Sequence, residues 1–250
     1  MTYPTAETLL IIDFETTGVD AADDEPLELG AILYSVPHRT TLAQLSTLIP
    51  IAAGNAAERI NRIPAEASRG VSEAESAAAM ALFQTWLDRA DYLVAHNASF
   101  DRQWLGQPPT PASDKPWLCT YEHFQWPLNE KATNLIATAL NHGIGVSNAH
   151  RALADCQLVA ALFDRVDGFE ALLSEAIRVS FESKYRVVAN VSFEKKDLAK
   201  ARGYRWDGGR REWYVEVSEH SLSEFIRSET ASAGFMVRVG GKISAFNMRD

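Results

Sequence analysis

The stretch Thr8-Leu9-Leu10-Ile11-Ile12-Asp13-Phe14-Glu15-Thr16-Thr17-Gly18 decides how the rest of the chain is read. Its first five residues are apolar and largely β-branched, as in a buried central strand. The apolar run stops at Asp13. Asp13 and Glu15 are two residues apart, so in an extended chain their carboxylates leave on one face and point past the end of the sheet. That arrangement suits metal ligation, although a polar strand-to-loop exit accounts for one such Asp without any ion.

Outward from this stretch, residues 28–34 and 45–50 read as a second and third strand beyond an Asp-rich loop. Residues 72–90 form an Ala-rich helix with Met80, Phe83 and Leu87 on one stripe and Ser72 as N-cap. Residues 92–95 are a fourth strand, 100–105 a short helix, 108–116 a Pro-rich loop, 117–119 a fifth strand, and 133–141 and 151–166 helices. Strands that are first paired and then alternate with helices predict an α/β fold, a mixed five-stranded sheet flanked by helices. A helix over 169–179 leads into a strand at 185–192, a helix at 194–202 stopped by Gly203, and a strand at 211–217. The expected organisation is a core over residues 1–168, a linker helix over 169–180 and a small C-terminal α+β module over 181–250.

With 250 residues, 46% apolar and 23% charged, and no run approaching the roughly 20 apolar residues of a membrane span, composition excludes membrane-spanning and disordered classes. The first residues lack a basic region, so no secretory signal is expected and a cytoplasmic location follows. Cys119 and Cys156 have neither the number nor the spacing of a disulfide framework, zinc site or iron–sulfur site, and read as buried thiols. The net charge of -9 is uneven: residues 1–180 carry net -12 and residues 181–250 net +3. Acidic excess does not exclude a nucleic-acid partner, because carboxylates that hold divalent cations turn a repulsive site into a phosphate-binding one.

Two further segments add chemistry. His96-Asn97-Ala98-Ser99-Phe100-Asp101 follows the fourth strand and sets Asp101 at a helix start; alone it reads equally as a helix capped by Asn97 or Ser99. His150-Arg151-Ala152-Leu153-Ala154-Asp155 heads the last core helix. Five helical residues turn through about 500°, so His150 and Asp155 would diverge on one regular helix. His150 therefore belongs to the preceding loop, with the cap near Asn148, and from there can reach an attacking water. Asp13, Glu15, Asp101 and Asp155 together offer four hard oxygen donors suited to Mg²⁺ or Mn²⁺, and four clustered anions without cations would repel one another. Two ions about 3.5–4 Å apart would clamp a phosphodiester from both sides for in-line hydrolysis.

In this order the three motifs resemble those of the DEDDh 3′–5′ exonucleases of the DnaQ-like group, which have an RNase H-like fold. The resemblance spans residues 8–166, and residues 94–102 and 117–120 are most similar to exonuclease X-like proteins. It implies a metal-dependent exodeoxyribonuclease that takes nucleoside 5′-monophosphates from DNA 3′ ends, single strands or overhangs; an exoribonuclease, or a nucleic-acid-binding protein that kept the fold without catalysis, are the alternatives. It further implies that Asp13, Glu15 and Asp155 hold one divalent cation, that Asp13 bridges to a second supported by Asp101, and that His150 is general base. Phe14, Thr16, Thr17 and Gly18 would receive the terminal nucleotide, Val19 would pack against the last bases, and Asn97 joins the substrate-binding set. Ile60-Asn61-Arg62-Ile63 is similar to a segment that often reads I-H-x-I; Asn61 departs from His, though its amide can still bond a sugar or phosphate oxygen.

Between Lys184 and Arg211 there are nine basic residues against three acidic, interleaved with Tyr185, Phe193, Tyr204 and Trp206 and followed by Trp213 and Tyr214. This reads as a nucleic-acid grip, or as a small module whose rings are its core. His38, His123, His142 and His220 are isolated and read as surface or hydrogen-bonded core residues, and His96 as structural.

Overall fold

The N-terminal apolar run is the middle strand of a sheet. In the computed structural model, β1 (Thr8–Thr16), β2 (Pro26–Ser35), β3 (Thr40–Leu48), β4 (Tyr92–Ala95) and β5 (Trp117–Cys119) are arranged in the order β3-β2-β1-β4-β5. β1 pairs antiparallel with β2 and parallel with β4, so the sheet is mixed, as expected. Leu9, Leu10, Ile11 and Ile12 are fully buried, which is why the run carries no polar residue before Asp13. All residues are described except 1, 2, 4, 129–133, 149, 192–195, 220, 231–235 and 244–250. The chain divides into two units, residues 1–177 and 178–250.

Helices α1 (Glu58–Asn61), α2 (Ala65–Ser68), α3 (Glu73–Arg89), α4 (Ala98–Asp101), α5 (Leu135–Asn141) and α6 (Ala152–Arg165) belong to the first unit, and α7 (Phe169–Ser180) begins in it and ends in the second. α3 starts in a full capping box: Ser72 Oγ accepts the Glu75 N–H, and the Glu75 carboxylate accepts the Ser72 N–H. α5 is capped by Asn134, whose side chain accepts the Ala137 N–H at 2.9 Å; the expected start at Thr133 lies outside the described residues. β3 begins five residues before its expected start because it is an edge strand whose alternate residues face solvent, so Thr40 to Ala43 carry little apolar signal. The expected helix over 100–105 is a single turn at Ala98–Asp101. α1 and α2 were not anticipated.

α6 lies across β1 and β2 and is held at both ends. At its start Gly30 on β2 lets the strand pass so close to the helix that a Cβ there would fall 2.3 Å from the Ala152 carbonyl carbon. At its end the Arg39 guanidinium donates to the carbonyls of Phe163, Asp164 and Val166 at 2.6, 2.9 and 2.7 Å, satisfying acceptors the helix leaves free. The Tyr34 hydroxyl donates to Asp164 at 2.6 Å. The segment read as a linker opens with Phe169, fully buried, its ring 4.7 Å from Phe163.

The second unit is an α+β module, with β6 (Lys184–Asn190), α8 (Lys196–Ala201), β7 (Arg205–Asp207), β8 (Glu212–Ser218), α9 (Leu222–Thr230) and β9 (Met236–Ile243). Its strands run antiparallel in the order β7-β8-β6-β9. Ala189, Ala199 and Tyr204 form its core, with Val191, Trp213, Val215, Phe225 and Val237 packed against them. The expected ends at Ser192 and Glu194 lie outside the described residues, as do Phe193 and His220. Among the described residues no helix is long and apolar enough to cross a membrane.

Candidate functional site

β1 ends in the site. Carboxylate oxygens of Asp13, Glu15 and Asp155 lie within 4.8 Å of one another, a grouping able to hold a metal ion. The first two are carried by β1, as the period-two spacing requires; the third sits in the first turn of α6. Asp101 approaches from α4. It is 1% exposed and its Oδ1 accepts the Phe14 N–H at 3.0 Å, which fixes it against the strand between Asp13 and Glu15.

His150 lies outside α6, exposed, with a left-handed backbone (φ 60°). The loop placement agrees with the rotation argument; the cap does not. Helix entry is at Arg151, which makes no side-chain cap hydrogen bond. The N–H of Ala152 donates instead to Glu28, a residue of β2, at 3.0 Å. Glu28 is 1% exposed and also takes both arms of the Arg151 guanidinium, at 2.9 and 2.6 Å. Its Cα is paired with that of Glu15 across the sheet. Sequence reasoning passed over Glu28; the available signal was a lone carboxylate in a strand whose every residue is buried.

Burial and crowding govern the acids. Burial, then the charges of Asp101, Asp155, Glu15 and Glu28, hold the Asp13 carboxyl well above the usual range. Burial, with Asp155 and Glu28, pushes Glu15 up to about 7 against the opposing pull of Arg151. Asp101 is pushed up to about 8, mainly by burial and despite the Phe14 N–H. Asp155 is raised by burial and drawn back by the imidazole and backbone N–H of His150. Cys156 lies close by, fully buried, its thiol raised by burial and by Asp13, Asp101 and Asp155, with Sγ 3.4 Å from the Gly30 carbonyl oxygen. Both cysteines are free and buried.

A divalent cation fits this donor set. Asp155 Oδ1 is buried and has no hydrogen-bond partner, an arrangement that costs free energy unless a cation or proton meets it. The donors are all hard oxygens, the type that Mg²⁺ and Mn²⁺ take.

Several residues expected to meet substrate are turned inward. The Phe14 ring is buried, and its N–H is committed to Asp101. The Thr16 hydroxyl donates to the Gly18 carbonyl, and that of Thr17 accepts the Glu25 N–H at 2.9 Å. Gly18 lies against the Asp24 carboxylate, where a Cβ would collide. Asn61 departs most from expectation: it is 1% exposed, its Oδ1 accepts from Asn55 Nδ2 and the Ile63 N–H, and its Nδ2 donates to the Thr16 carbonyl at 3.1 Å. Its amide braces the end of β1 and is not free for a sugar or phosphate. Val19 and Ile60, by contrast, are 79% and 60% exposed, and Asn97 is exposed in a left-handed conformation. Asn97 makes no cap bond, so the helix-cap reading of that motif does not hold. His96 donates to or accepts from Thr120 Oγ1 through Nδ1 at 2.9 Å; His123 and His142 are buried and hydrogen-bonded.

Two segments of the chain match known families. The family described as Exonuclease (RNase_T) matches residues 10–163, and a domain of unknown function (DUF5710) matches residues 186–227. A PolC-type DNA polymerase III of Thermotoga petrophila is 28% identical over 166 residues, 63% of this chain; the chain spans only 12% of that protein. Exonuclease X, solved in complex with 5′ overhanging duplex DNA, superposes with a TM-score of 0.50 at 22% identity, covering 67% of this chain and 97% of that one. Escherichia coli exonuclease I, solved with single-stranded DNA and zinc, gives 0.57 at 17% identity, covering 96% of this chain and 64% of that one.

Proposed function

The chain belongs to the exonuclease family, and from that premise we propose that it is a 3′–5′ exodeoxyribonuclease that hydrolyses the terminal phosphodiester of single strands or 3′ overhangs and releases nucleoside 5′-monophosphates. The observation that carries this reading is the approach of the Asp13, Glu15 and Asp155 carboxylates, with oxygens within 4.8 Å of one another, where Asp155 also has a buried Oδ1 without a partner. In this reading Asp13, Glu15 and Asp155 would hold one divalent cation, and Asp13 with Asp101 would hold a second, each Mg²⁺ or Mn²⁺. Two bound cations would neutralise the phosphate and ease deprotonation of water. His150, exposed on its loop beside Asp155, takes the proton of the water that attacks phosphorus in line. The bond to the 3′ oxygen breaks, and that oxygen is protonated as the strand shortens by one residue.

Exposed Val19 and Ile60 suit apolar contact with the last bases, and Asn97 is exposed where it can meet the strand. DNA is favoured by the sequence similarity to the DNA polymerase. The test uses matched DNA and RNA oligomers of one sequence with Mg²⁺ or Mn²⁺. Faster mononucleotide release from DNA is expected. Release from RNA alone would reassign the enzyme as an exoribonuclease, and release from neither would leave a non-catalytic binding protein.

A further inference from the structure

The structure sorts the rings and cations of the second unit. Tyr204 is buried, Trp213 packs against the module core, and the Tyr214 ring is covered by the Arg186 guanidinium, 3.6 Å from its centroid. Trp206, on the edge strand β7, remains 49% exposed, leaning on Trp213 at a centroid distance of 5.4 Å. The two acids that flank the hairpin turn are already paired: Arg186 binds Asp207 at 2.6 Å and Glu212 at 3.0 Å, and Arg238 binds Glu212 at 2.5 Å. Arg205, Arg210 and Arg211 are exposed, and among the described residues none of the three makes an ion pair. The β7–β8 hairpin thus presents an indole among three uncompensated guanidinium groups, on a chain of net negative charge.

We propose that the β7–β8 hairpin is a second nucleic-acid contact that holds single-stranded nucleic acid, Trp206 stacking on a base while Arg205, Arg210 and Arg211 meet phosphates. The proposal rests on reading the chain as a nuclease. An exposed indole stacks on any unpaired base, whereas in a duplex the base faces are already covered by their neighbours, so a single strand is the matching form. Guanidinium groups that make no ion pair have none to give up when they bind phosphate, and each displaces a counterion from the strand. Joined by one chain to the exonuclease unit, such a contact raises the local concentration of strand at the site without altering its chemistry.

The experiment uses the full chain, with divalent ions chelated so that a fluorescent oligothymidylate survives, and reads binding by anisotropy over a range of salt. Replacing Trp206→Ala is expected to weaken binding by about tenfold, the scale of one lost base stack, and Trp206→Phe to retain most of it. The combination Arg205→Gln, Arg210→Gln and Arg211→Asn is expected to reduce the logarithmic salt slope by about 2, whereas three Lys replacements keep it. Asn is chosen at 211 because Arg211 has φ 54°, a region Asn tolerates. Wild-type affinity and slope in both the Trp206→Ala and the charge-removing variants, or equal weakening by the Phe and Lys replacements, would overturn the proposal. A duplex bound as tightly as the single strand would overturn the choice of form. Hydrolysis of the p-nitrophenyl ester of thymidine 5′-monophosphate with Mn²⁺, a substrate too small to span two contacts, separates the two readings. It should be unchanged in every hairpin variant, and its absence in the wild type would refute the nuclease reading while anisotropy still decides the hairpin.

Discussion

Replacing Gly30 by alanine adds one methyl group where β2 passes beneath the first turn of α6. The new Cβ would stand 2.3 Å from the Ala152 carbonyl carbon and 2.4 Å from the Leu153 nitrogen. Both are backbone atoms, so no rotamer change relieves the contact. Ordinary van der Waals contact begins near 3.5 Å, so strand and helix must part by about 1 Å. Overpacking of this kind costs about 1–3 kcal/mol of stability. The larger effect falls on the site, because Asp155 rides on that turn and His150 immediately precedes it. A shift of about 1 Å in catalytic groups lowers the rate by about 10²-fold. The assay is kcat for mononucleotide release from a single-stranded oligomer with Mn²⁺, alongside a denaturant melt that fixes the folded fraction. Gly54→Ala is the control, since a Cβ there meets nothing within 4 Å. A wild-type kcat together with wild-type stability in Gly30→Ala would refute the claim that close approach of β2 to α6 assembles the site.

Three further outcomes follow from the same geometry. Because Glu15 is raised to about 7 and Asp101 to about 8, the folded chain without metal binds protons more tightly than the unfolded chain. Their contribution to stability is therefore complete below the unfolded carboxylate range near 4 and is lost as pH rises through 7 to 8. Mn²⁺ should raise the Tm more at pH 8 than at pH 5.5, and a gain independent of pH would contradict this. Changing His150→Ala should lower kcat by about 10²–10⁴-fold while a Mn²⁺ titration stays near wild type; unchanged turnover would remove His150 from proton transfer. Glu28→Gln keeps an acceptor for the Ala152 N–H but gives up the charged pair with Arg151. A loss of about 1–3 kcal/mol is expected in a denaturant melt, and an unaltered midpoint would show that the pair does not hold α6.

What was legible in the sequence, and what was not, divides along physical lines. The apolar part of β1 before Asp13 was legible because burial on both faces leaves an unbroken run, although the strand continues to Thr16, and the His150 loop because helical rotation forbids the alternative. Glu28 and Gly30 were not. A carboxylate and a glycine in a strand carry no period of their own, and their meaning lies in a helix that begins more than a hundred residues later. Asn61 misled for a related reason: an amide can serve substrate or backbone equally, and only the positions of Asn55 and the Thr16 carbonyl decide between them. In the second unit β7, α9 and β9 were missed. β7 is three residues long, and β9 contains Gly240-Gly241, which breaks the alternation that would mark it. The grip-or-core ambiguity of its rings could be narrowed only by burial, which leaves Trp206 the most exposed of those described.

The measurement that bears most directly on the central claim is a time course on a 5′-labelled single-stranded oligodeoxynucleotide with Mn²⁺, comparing the full chain with Asp155→Ala. The account predicts a ladder that shortens one residue at a time from the 3′ end, abolished both in the variant and on chelation of the metal. A ladder that Asp155→Ala produces as fast as the wild type, or an oligomer left intact by the wild type, would contradict it.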